Sequence, residues 1–275
     1  MAITLGHCIS IYRFKNKLIN IGKTLAMLSE GYSYKLHVPT IYTPIGSLLV
    51  LIVYFMGYSW EKDISLFMSF TIISLLEIRI YLLIMTFCAF LEIFHQHFKD
   101  IINDISSKSL ELATKKSLIL ISACNDICEI YGLSLLFLCM RCLIVIVIMG
   151  YSMSVSFHSF DYVPLVKNVK NIFKKLAVIL LILFYLVMVT GSCRKIQISL
   201  KRFNQLVFRE FRRKSYLVKN NAIKLYITKN PMVHFSACGF FSIENSLVTS
   251  ILVTAVTYIV IFVQFNIPMP ASQLK

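Results

Sequence analysis

The sequence predicts an all-α protein, a multi-pass bundle of transmembrane helices. Of its 275 residues, 57% are hydrophobic and only 15% are charged, whereas an ordinary soluble domain carries about 25% charged residues. Five stretches approach or exceed the roughly 20 apolar residues that a helix needs to cross a bilayer, and none alternates in the manner of a barrel strand. This composition argues against a soluble enzyme, a disordered regulator and a disulfide-stapled secreted domain.

The five predicted spans divide the chain into membrane and connecting regions. They cover residues 41–60, 64–91, 130–160, 176–193 and 245–268. The third is longer than one span, so we expect it to tilt or to project beyond the bilayer. The expected regions are a cytoplasmic N-terminal segment (1–40), four spans with their loops (41–193), cytoplasmic helices (194–241) and a last span with a short outer tail (242–275).

The basic residues predict an orientation. Twenty Lys and Arg lie before the first span, between the second and third spans or between the fourth and fifth, and 6 lie on the opposite side. Cytoplasmic loops retain Lys and Arg, so we expect a cytoplasmic N-terminus and an extracellular C-terminus. A lysine cluster at residues 167–175 argues weakly against this orientation. The net charge of +15 therefore reports topology, and we expect a membrane lipid environment and no nucleic-acid partner.

No motif indicates catalysis, a cofactor or a metal site. The sequence has no phosphate-binding loop, nucleophile elbow, zinc-protease motif or paired carboxylates. His95 and His97 point to different faces of a helix, which disfavours chelation. Cys139 and Cys142 stand inside an apolar helix, where small core residues are expected. All eight cysteines are expected to be free thiols, because none falls in a predicted outer loop.

Two predicted cytoplasmic stretches carry apolar stripes with helical spacing. The stripes consist of Phe90, Phe94, Phe98, Ile101 and Ile105 after the second span, and of Leu200, Phe203, Val207 and Phe211 after the fourth. Spacings of three and four residues place each set on one helix face. We therefore expect both spans to continue as cytoplasmic helices. Packing of the stripes against protein, on each other or on other subunits, is favoured over an anionic leaflet.

Three charged residues, Glu77, Arg79 and Arg141, lie at membrane depth. Each costs roughly 2.5–3.5 kcal/mol at the centre of an isolated span. Glu77 lies 13 residues into the descending second span, and Arg141 lies 11 residues into the ascending third. They are therefore expected to meet at similar depth. The pair is interpreted either as a structural ion pair between neighbouring helices or as a ligand- or ion-contacting pair in a polar cavity.

The last span carries uncharged polar residues along one side. These residues are Ser246, Ser250, Thr254, Thr257 and Gln264, with Tyr258 beside them. A ribbon of hydroxyls that ends in an amide is typical of the wall of a water-filled pore. Polar packing between helices is an equally good interpretation, because Ser and Thr also hydrogen-bond across helices.

The C-terminal residues carry a recognisable pattern. Thr257-Tyr258, five apolar residues and Gln264-Phe265 resemble the TYxxxxxQF signature that closes the last span of insect gustatory receptors. Residues 235–241 and the segment 243–247 resemble that family's sequence before the last span. The close resemblance covers about 31 residues, and the remaining chain agrees in hydropathy, orientation and the position of the large basic loop.

The resemblance implies a ligand-gated, non-selective cation channel in the plasma membrane, on the dendrite of a chemosensory neuron. It implies a homo- or heterotetramer in which the last helix of each subunit lines a central pore. Gln264 and Phe265 would then lie near the outer gate, with Thr254, Thr257 and Tyr258 on the pore wall. The helices around 195–235 would form a cytoplasmic anchor between subunits. A small-molecule tastant would bind in an outward-facing pocket among the other spans, although no motif identifies its residues or the tastant.

The resemblance also implies a difference in length. The family has seven spans, and the five predicted here correspond to its C-terminal portion, so we expect an N-terminally incomplete receptor. Two alternatives stay open: a non-conducting or modulatory membrane subunit, and a solute transporter. A transporter is expected to contain repeats and broken helices, and no repeat is visible across the five spans. A G-protein-coupled receptor is disfavoured by an extracellular C-terminus.

Overall fold

A computed structural model describes residues 2–29, 64–105, 110–158, 165–214 and 220–266. Within these ranges the chain is mostly helical, which confirms the predicted fold class. The elements are α1 (Ala2–Ser29), α2 (Ile64–Asp104), α3 (Leu110–His158), α4 (Leu165–Arg213), α5 (Asn221–Lys229), β1 (Ser236–Ala237), β2 (Phe241–Ser242) and α6 (Asn245–Asn266).

Four of these helices are long and apolar enough to cross a membrane. The candidate spans are Ile72–Asp104 in α2, Leu110–Ser156 in α3, Asn171–Arg213 in α4 and Asn245–Phe265 in α6. They overlap the second to fifth predicted spans, and the predicted first span, 41–60, lies outside the described residues. The helices α2, α3 and α4 have 41, 49 and 49 residues. At 1.5 Å per residue they are about 60–75 Å long, roughly twice the hydrocarbon thickness of a bilayer.

Beyond the predicted spans, the ends of these helices pack together into one bundle, which we call the base. It comprises α2 from residue 92, α3 up to residue 129, α4 from residue 194, α5 and the β1–β2 hairpin. Phe94 and Phe98 of α2 and Leu200, Phe203 and Val207 of α4 are all buried there. The two predicted stripes therefore pack against protein within the same chain. Full burial of each such side chain stabilises the fold by roughly 1.5–3 kcal/mol relative to exposure of that side chain to water.

A buried hydrogen-bond network joins α3, α4 and α5 inside the base. The Tyr226 hydroxyl donates to Asn204 Oδ1 at 2.7 Å, and Asn204 Nδ2 donates to Asn230 Oδ1 and to the Pro231 carbonyl, each at 3.2 Å. The Ser117 hydroxyl lies 3.3 Å from the Tyr226 hydroxyl and donates to it. Burial raises the pKa of Tyr226 to about 12, against a smaller lowering by the Ser117 hydrogen bond. Tyr226 therefore stays a protonated donor at physiological pH.

The N-terminus of α5 is fixed to α3 by a single side chain. Asn220 Oδ1 accepts from the backbone N–H groups of Ala222 and Ile223, so Asn220 is the N-cap of α5. Its Nδ2 donates to Glu111 Oε2 at 3.0 Å. One asparagine thus starts the helix and attaches it to the beginning of α3.

The β1–β2 hairpin returns the chain from the base to the start of α6. Its two strands are antiparallel, with Ser236 opposite Ser242 and Ala237 opposite Phe241. Gly239 in the turn has φ +78°, a conformation that glycine adopts without a steric penalty. The hairpin lies close against α3, because a Cβ on Gly132 would be 3.2 Å from the Cys238 backbone nitrogen. This close approach fixes the point at which α6 begins.

The N-terminal helix α1 packs on α3. Ile21 is buried in the common core, and Lys17 Nζ donates to Glu129 Oε2 at 2.6 Å. That hydrogen bond raises the pKa of Lys17. The pair is largely exposed, so it contributes little to stability. The contact between α1 and α3 is stabilised mainly by burial of the apolar face of α1 that contains Ile21.

We predict that Tyr226→Phe lowers the free energy of unfolding by about 1–3 kcal/mol, because Asn204 Oδ1 loses its buried donor. Ser117 retains an acceptor, since its hydroxyl also reaches the Thr114 carbonyl at 2.9 Å. Thermal loss of the helical circular dichroism signal of the purified protein measures the effect. Tyr12→Phe is the matched control, because Tyr12 is exposed. Equal melting of the two variants would contradict a stabilising role for the network.

Candidate functional site

The last helix, α6, is the most exposed of the four candidate spans. Only 17% of its span is buried within the described chain, compared with 39–44% of the other three. Its buried face carries Ile251 and Ala255 and packs mainly on α3. Most of the surface of α6 is therefore available for lipid, water or another subunit.

Two contacts hold the second half of α6 against α3. Ile259 packs so closely on Gly150 that a Cβ atom on this glycine would lie only 2.3 Å from the isoleucine side chain. Phe262 meets Tyr151 edge to face, with ring centroids 6.2 Å apart. Small residues allow such close approach between helices in a membrane. Together with the hairpin on Gly132, these contacts fix the rotation of α6 about its axis.

That rotation leaves the polar residues of α6 off the buried face of the helix. We call the following set the polar stripe: Ser246, Ser250, Thr254, Thr257 and Gln264. All five are exposed. At 100° per residue Ser246, Thr257 and Gln264 lie roughly opposite Ile251 and Ala255, and Ser250 and Thr254 lie on the flank between. The structure thus places the predicted residues on one outward-facing side of the helix.

The polar groups of the stripe differ in how well the helix itself satisfies them. Thr257 Oγ1 donates to the Val253 carbonyl at 3.0 Å and keeps lone pairs that can accept. The Gln264 amide has two donors and an acceptor oxygen, and leaving them in hydrocarbon without partners costs several kcal/mol. The stripe therefore fits a water-filled wall or a polar protein contact better than lipid.

Two aromatic residues border the stripe. Phe265 lies in the last turn of α6 and is 86% exposed, and Tyr258, two turns earlier, is 47% exposed. They share one side of the helix, because seven residues correspond to nearly two full turns. A large exposed ring at a helix end is suited to contact another subunit or to narrow a passage.

A cavity of about 310 Å³ separates the first half of α6 from α3. Met140 and Leu143 line it on α3, and Ser246, Ser250 and Thr254 line it on α6. The lower part of the polar stripe thus faces a groove, whereas Thr257, Gln264 and Phe265 lie beyond it.

The charged residues at membrane depth form a second candidate site. Arg141 Nη2 of α3 donates to Glu77 Oε1 of α2 in an ion pair. The Glu77 carboxylate is buried, and the Arg141 side chain is about one-fifth exposed. Among the residues that the structure describes, Glu77 Oε2 and Arg141 Nη1 are buried without a hydrogen-bond partner. The pair therefore links two spans and keeps one unsatisfied acceptor and one unsatisfied donor group.

The structure does not bring the two candidate sites together. Arg141 is nine residues from Gly132 and from Gly150, which is two and a half turns. It therefore points to the side of α3 opposite the hairpin and α6. The helix α3 lies between the ion pair and the polar stripe.

The histidines and cysteines of the described residues do not form a metal site. In the described ranges, no three His, Cys, Asp or Glu side chains are grouped so that they could hold a metal ion. His95 Nδ1 shares a 2.8 Å hydrogen bond with Ser199 Oγ, and Cys139 and Cys142 are buried in the core.

Sequence reasoning missed the residues that orient the site. Gly132 and Gly150 are 18 residues apart, five turns along one face of α3. A signal was available, because a glycine inside a long apolar helix often marks a close contact between helices. Their partners, Cys238 and Ile259, carry no comparable signal.

Comparisons with known proteins place this geometry in context. A family model described as "7tm Chemosensory receptor" matches residues 7–268. No curated protein matches the sequence. The fold is similar to the insect olfactory receptor OR5 from Machilis hrabei, with 10% identity and a TM-score of 0.61 over 96% of this chain and 79% of that one. The same receptor in complex with eugenol is similar with 11% identity and a TM-score of 0.51, over 95% of this chain and 70% of that one. At such identities the likeness extends to the fold alone.

We predict that Glu77→Met or Arg141→Met alone destabilises the protein by about 3–5 kcal/mol, because each leaves one buried charge without its partner. The double variant is expected to regain most of that loss, since a buried ion pair can be replaced by apolar groups at little cost. Thermal melting in detergent measures all three.

Arg79→Met is the matched control for these variants, because Arg79 lies on the same helix and is exposed among the described residues. Its effect is expected to be small. Additive losses in the double variant would mean that Glu77 and Arg141 do not stabilise each other.

Proposed function

The chain belongs to the 7tm chemosensory receptor family, and on that premise we propose that it is a gustatory receptor subunit that forms a ligand-gated, non-selective cation channel. The proposed channel is a homo- or heterotetramer in the plasma membrane of chemosensory dendrites, with a cytoplasmic N-terminus and an extracellular C-terminus. The proposed ligand is a small-molecule tastant.

The observation that carries the channel proposal is the outward-facing polar stripe of α6. A spanning helix with no charged residue, little burial and an exposed row of hydroxyls ending in an amide is poorly matched to lipid. Four copies around a central axis would bury much of the exposed surface and turn the stripe toward water. In that arrangement Thr254 and Thr257 line the pore, and Gln264 and Phe265 lie at its outer end with Tyr258 at the subunit contact.

The assignment to taste rests on the C-terminal signature. Thr257-Tyr258 and Gln264-Phe265, five residues apart, resemble the pattern of gustatory receptors. The structurally similar olfactory receptor was determined in complex with eugenol, which supports a small molecule as the class of ligand. We propose that the tastant binds among the spans other than α6, and the Glu77–Arg141 pair, with its spare donor and acceptor, is a candidate contact.

The base is proposed to hold the subunits together on the cytoplasmic side. Its apolar side chains are largely buried within one chain, so contacts between subunits would use its exposed surface and the exposed side of α6.

We predict that Gln264→Cys makes ligand-evoked current sensitive to a positively charged, membrane-impermeant thiol reagent applied outside. The reagent would attach a cation inside the pore and repel permeating cations, so most of the current should be lost. Whole-cell recording measures this after expression alone and with other receptor subunits.

Val256→Cys on another side of α6 is the matched control, because Val256 is exposed and lies about 100° away from the stripe. Wild-type current should be insensitive, since Cys8 and Cys238 are expected on the cytoplasmic side and the other six cysteines are buried. Equal modification of the two variants would contradict a pore wall formed by the polar stripe.

Phe265→Ala is expected to change gating, with altered ligand sensitivity or current in the absence of ligand, because removal of the ring widens the outer end of the pore. Unchanged dose–response curves would remove Phe265 from the gate.

The same recordings distinguish the alternative functions. If the chain carries no current alone but alters the currents of co-expressed receptors, while Gln264→Cys remains unreactive, it acts as a modulatory subunit. Saturable solute uptake without such current would indicate a transporter.

A further inference from the structure

A second cavity lies between α2 and α4, away from α6 and from the Glu77–Arg141 pair. Its volume is about 460 Å³, which is within the range of sites that bind small molecules. One end is apolar, with Met85 and Ala89 from α2 and Phe184 and Met188 from α4. The other end is polar and is lined by Glu92, Ser192 and Lys195.

This change in polarity coincides with the expected membrane boundary. The apolar end lies within the predicted spans 64–91 and 176–193, and the polar end lies where those spans end and the base begins. A molecule that fills the cavity therefore needs an apolar part within the bilayer and a polar part at its cytoplasmic surface.

Basic residues continue along both helices beyond the polar end of the cavity. Glu92 and Lys195 approach each other to 3.4 Å, and the Lys195 side chain is 60% exposed. Lys99 and Arg202 lie seven residues further along the same two helices, so they continue the same faces, and both act electrostatically on His95 between them. Glu92 and Lys195 balance each other in the lining itself, and Lys99 and Arg202 add two cations about 10 Å further along, where they favour an anion just beyond this end.

We propose that this cavity binds a phospholipid of the cytoplasmic leaflet, with part of an acyl chain between α2 and α4 and an anionic headgroup on Lys195. The cytoplasmic surface of a membrane contains anionic lipids that attract basic residues close to it. A free phosphate or another soluble anion would leave the apolar end empty. Lys99 and Arg202 favour an anionic headgroup over a zwitterionic one, because Glu92 offsets only one of the three positive charges.

Gly191 provides a way to test the cavity without removing charge. It lines the cavity, and a Cβ at this position would meet no atom within 4 Å. The backbone therefore has room for a Cβ, and a leucine that extends from it is expected to fill part of the space for the acyl chain. Leucine is also a better helix former than glycine. Gly22→Leu is the matched control, because Gly22 of α1 also has open space around its Cβ and lies on another helix.

The experiment uses the full chain in phosphatidylcholine nanodiscs that contain phosphatidylserine with a photoreactive group in its acyl chain. After irradiation, labelled peptides are identified by mass spectrometry. We expect labelling within 85–92 and 184–195 and competition by unlabelled phosphatidylserine. Gly191→Leu should reduce the labelling at least about tenfold, because several buried methylene groups lose their place, and Lys195→Gln should reduce it about fivefold.

Lys201→Gln should leave the labelling unchanged, because Lys201 is exposed and lies about 120° around α4 from Lys195. Equal labelling of wild type and Gly191→Leu would overturn the proposal. Equal competition by phosphatidylcholine would overturn the anionic headgroup, and competition by soluble glycerophosphoserine would overturn the role of the acyl chain. None of these results depends on whether the protein conducts ions.

Discussion

Aromatic packing in the base is the interaction on which the rest of the structure depends. With the bilayer at the predicted spans, the base lies in water, where the hydrophobic effect favours burial of Phe94, Phe98 and Phe203. Inside the bilayer it gives little, because lipid tails are as apolar as the side chains. Since α2, α3 and α4 run without a break from the membrane region into the base, the packing of the base sets the relative positions of their spanning parts as well.

The placement of α6 follows from the same framework. The β1–β2 hairpin rests on α3 at Gly132, and Ile259 closes against Gly150 five turns later. These contacts act on the apolar side of α6, and they turn the polar stripe outward without any contact of their own to a polar group. The stripe is therefore positioned by steric fit, and its exposure in a single chain gives a physical reason for assembly around α6.

Polar groups serve two different purposes on the two sides of the membrane boundary. In the base, Tyr226, Asn204 and Ser117 satisfy one another and attach α5 and the start of the hairpin segment to α3 and α4. At membrane depth, Glu77 and Arg141 satisfy each other only in part. Water can reach the edges of the base but not the hydrocarbon, so a partly satisfied pair is costly there and is the better candidate for a ligand contact.

Local hydropathy was sufficient to predict the spans within the described ranges, the helices that continue beyond them and the one-sided distribution of polar residues on α6. Hydropathy and the helical period of 3.6 residues can both be read from a short window of sequence. The same reasoning predicted that Glu77 and Arg141 lie at similar depth, but their contact also requires α2 and α3 to pack side by side, which no local pattern shows. Three other features are visible only in the tertiary structure: the steric contacts of Gly132 and Gly150, the pairing of Asn204 with Tyr226, and the cavity beside Lys195. Each depends on which helix faces meet, and that is a property of packing between residues far apart in the chain.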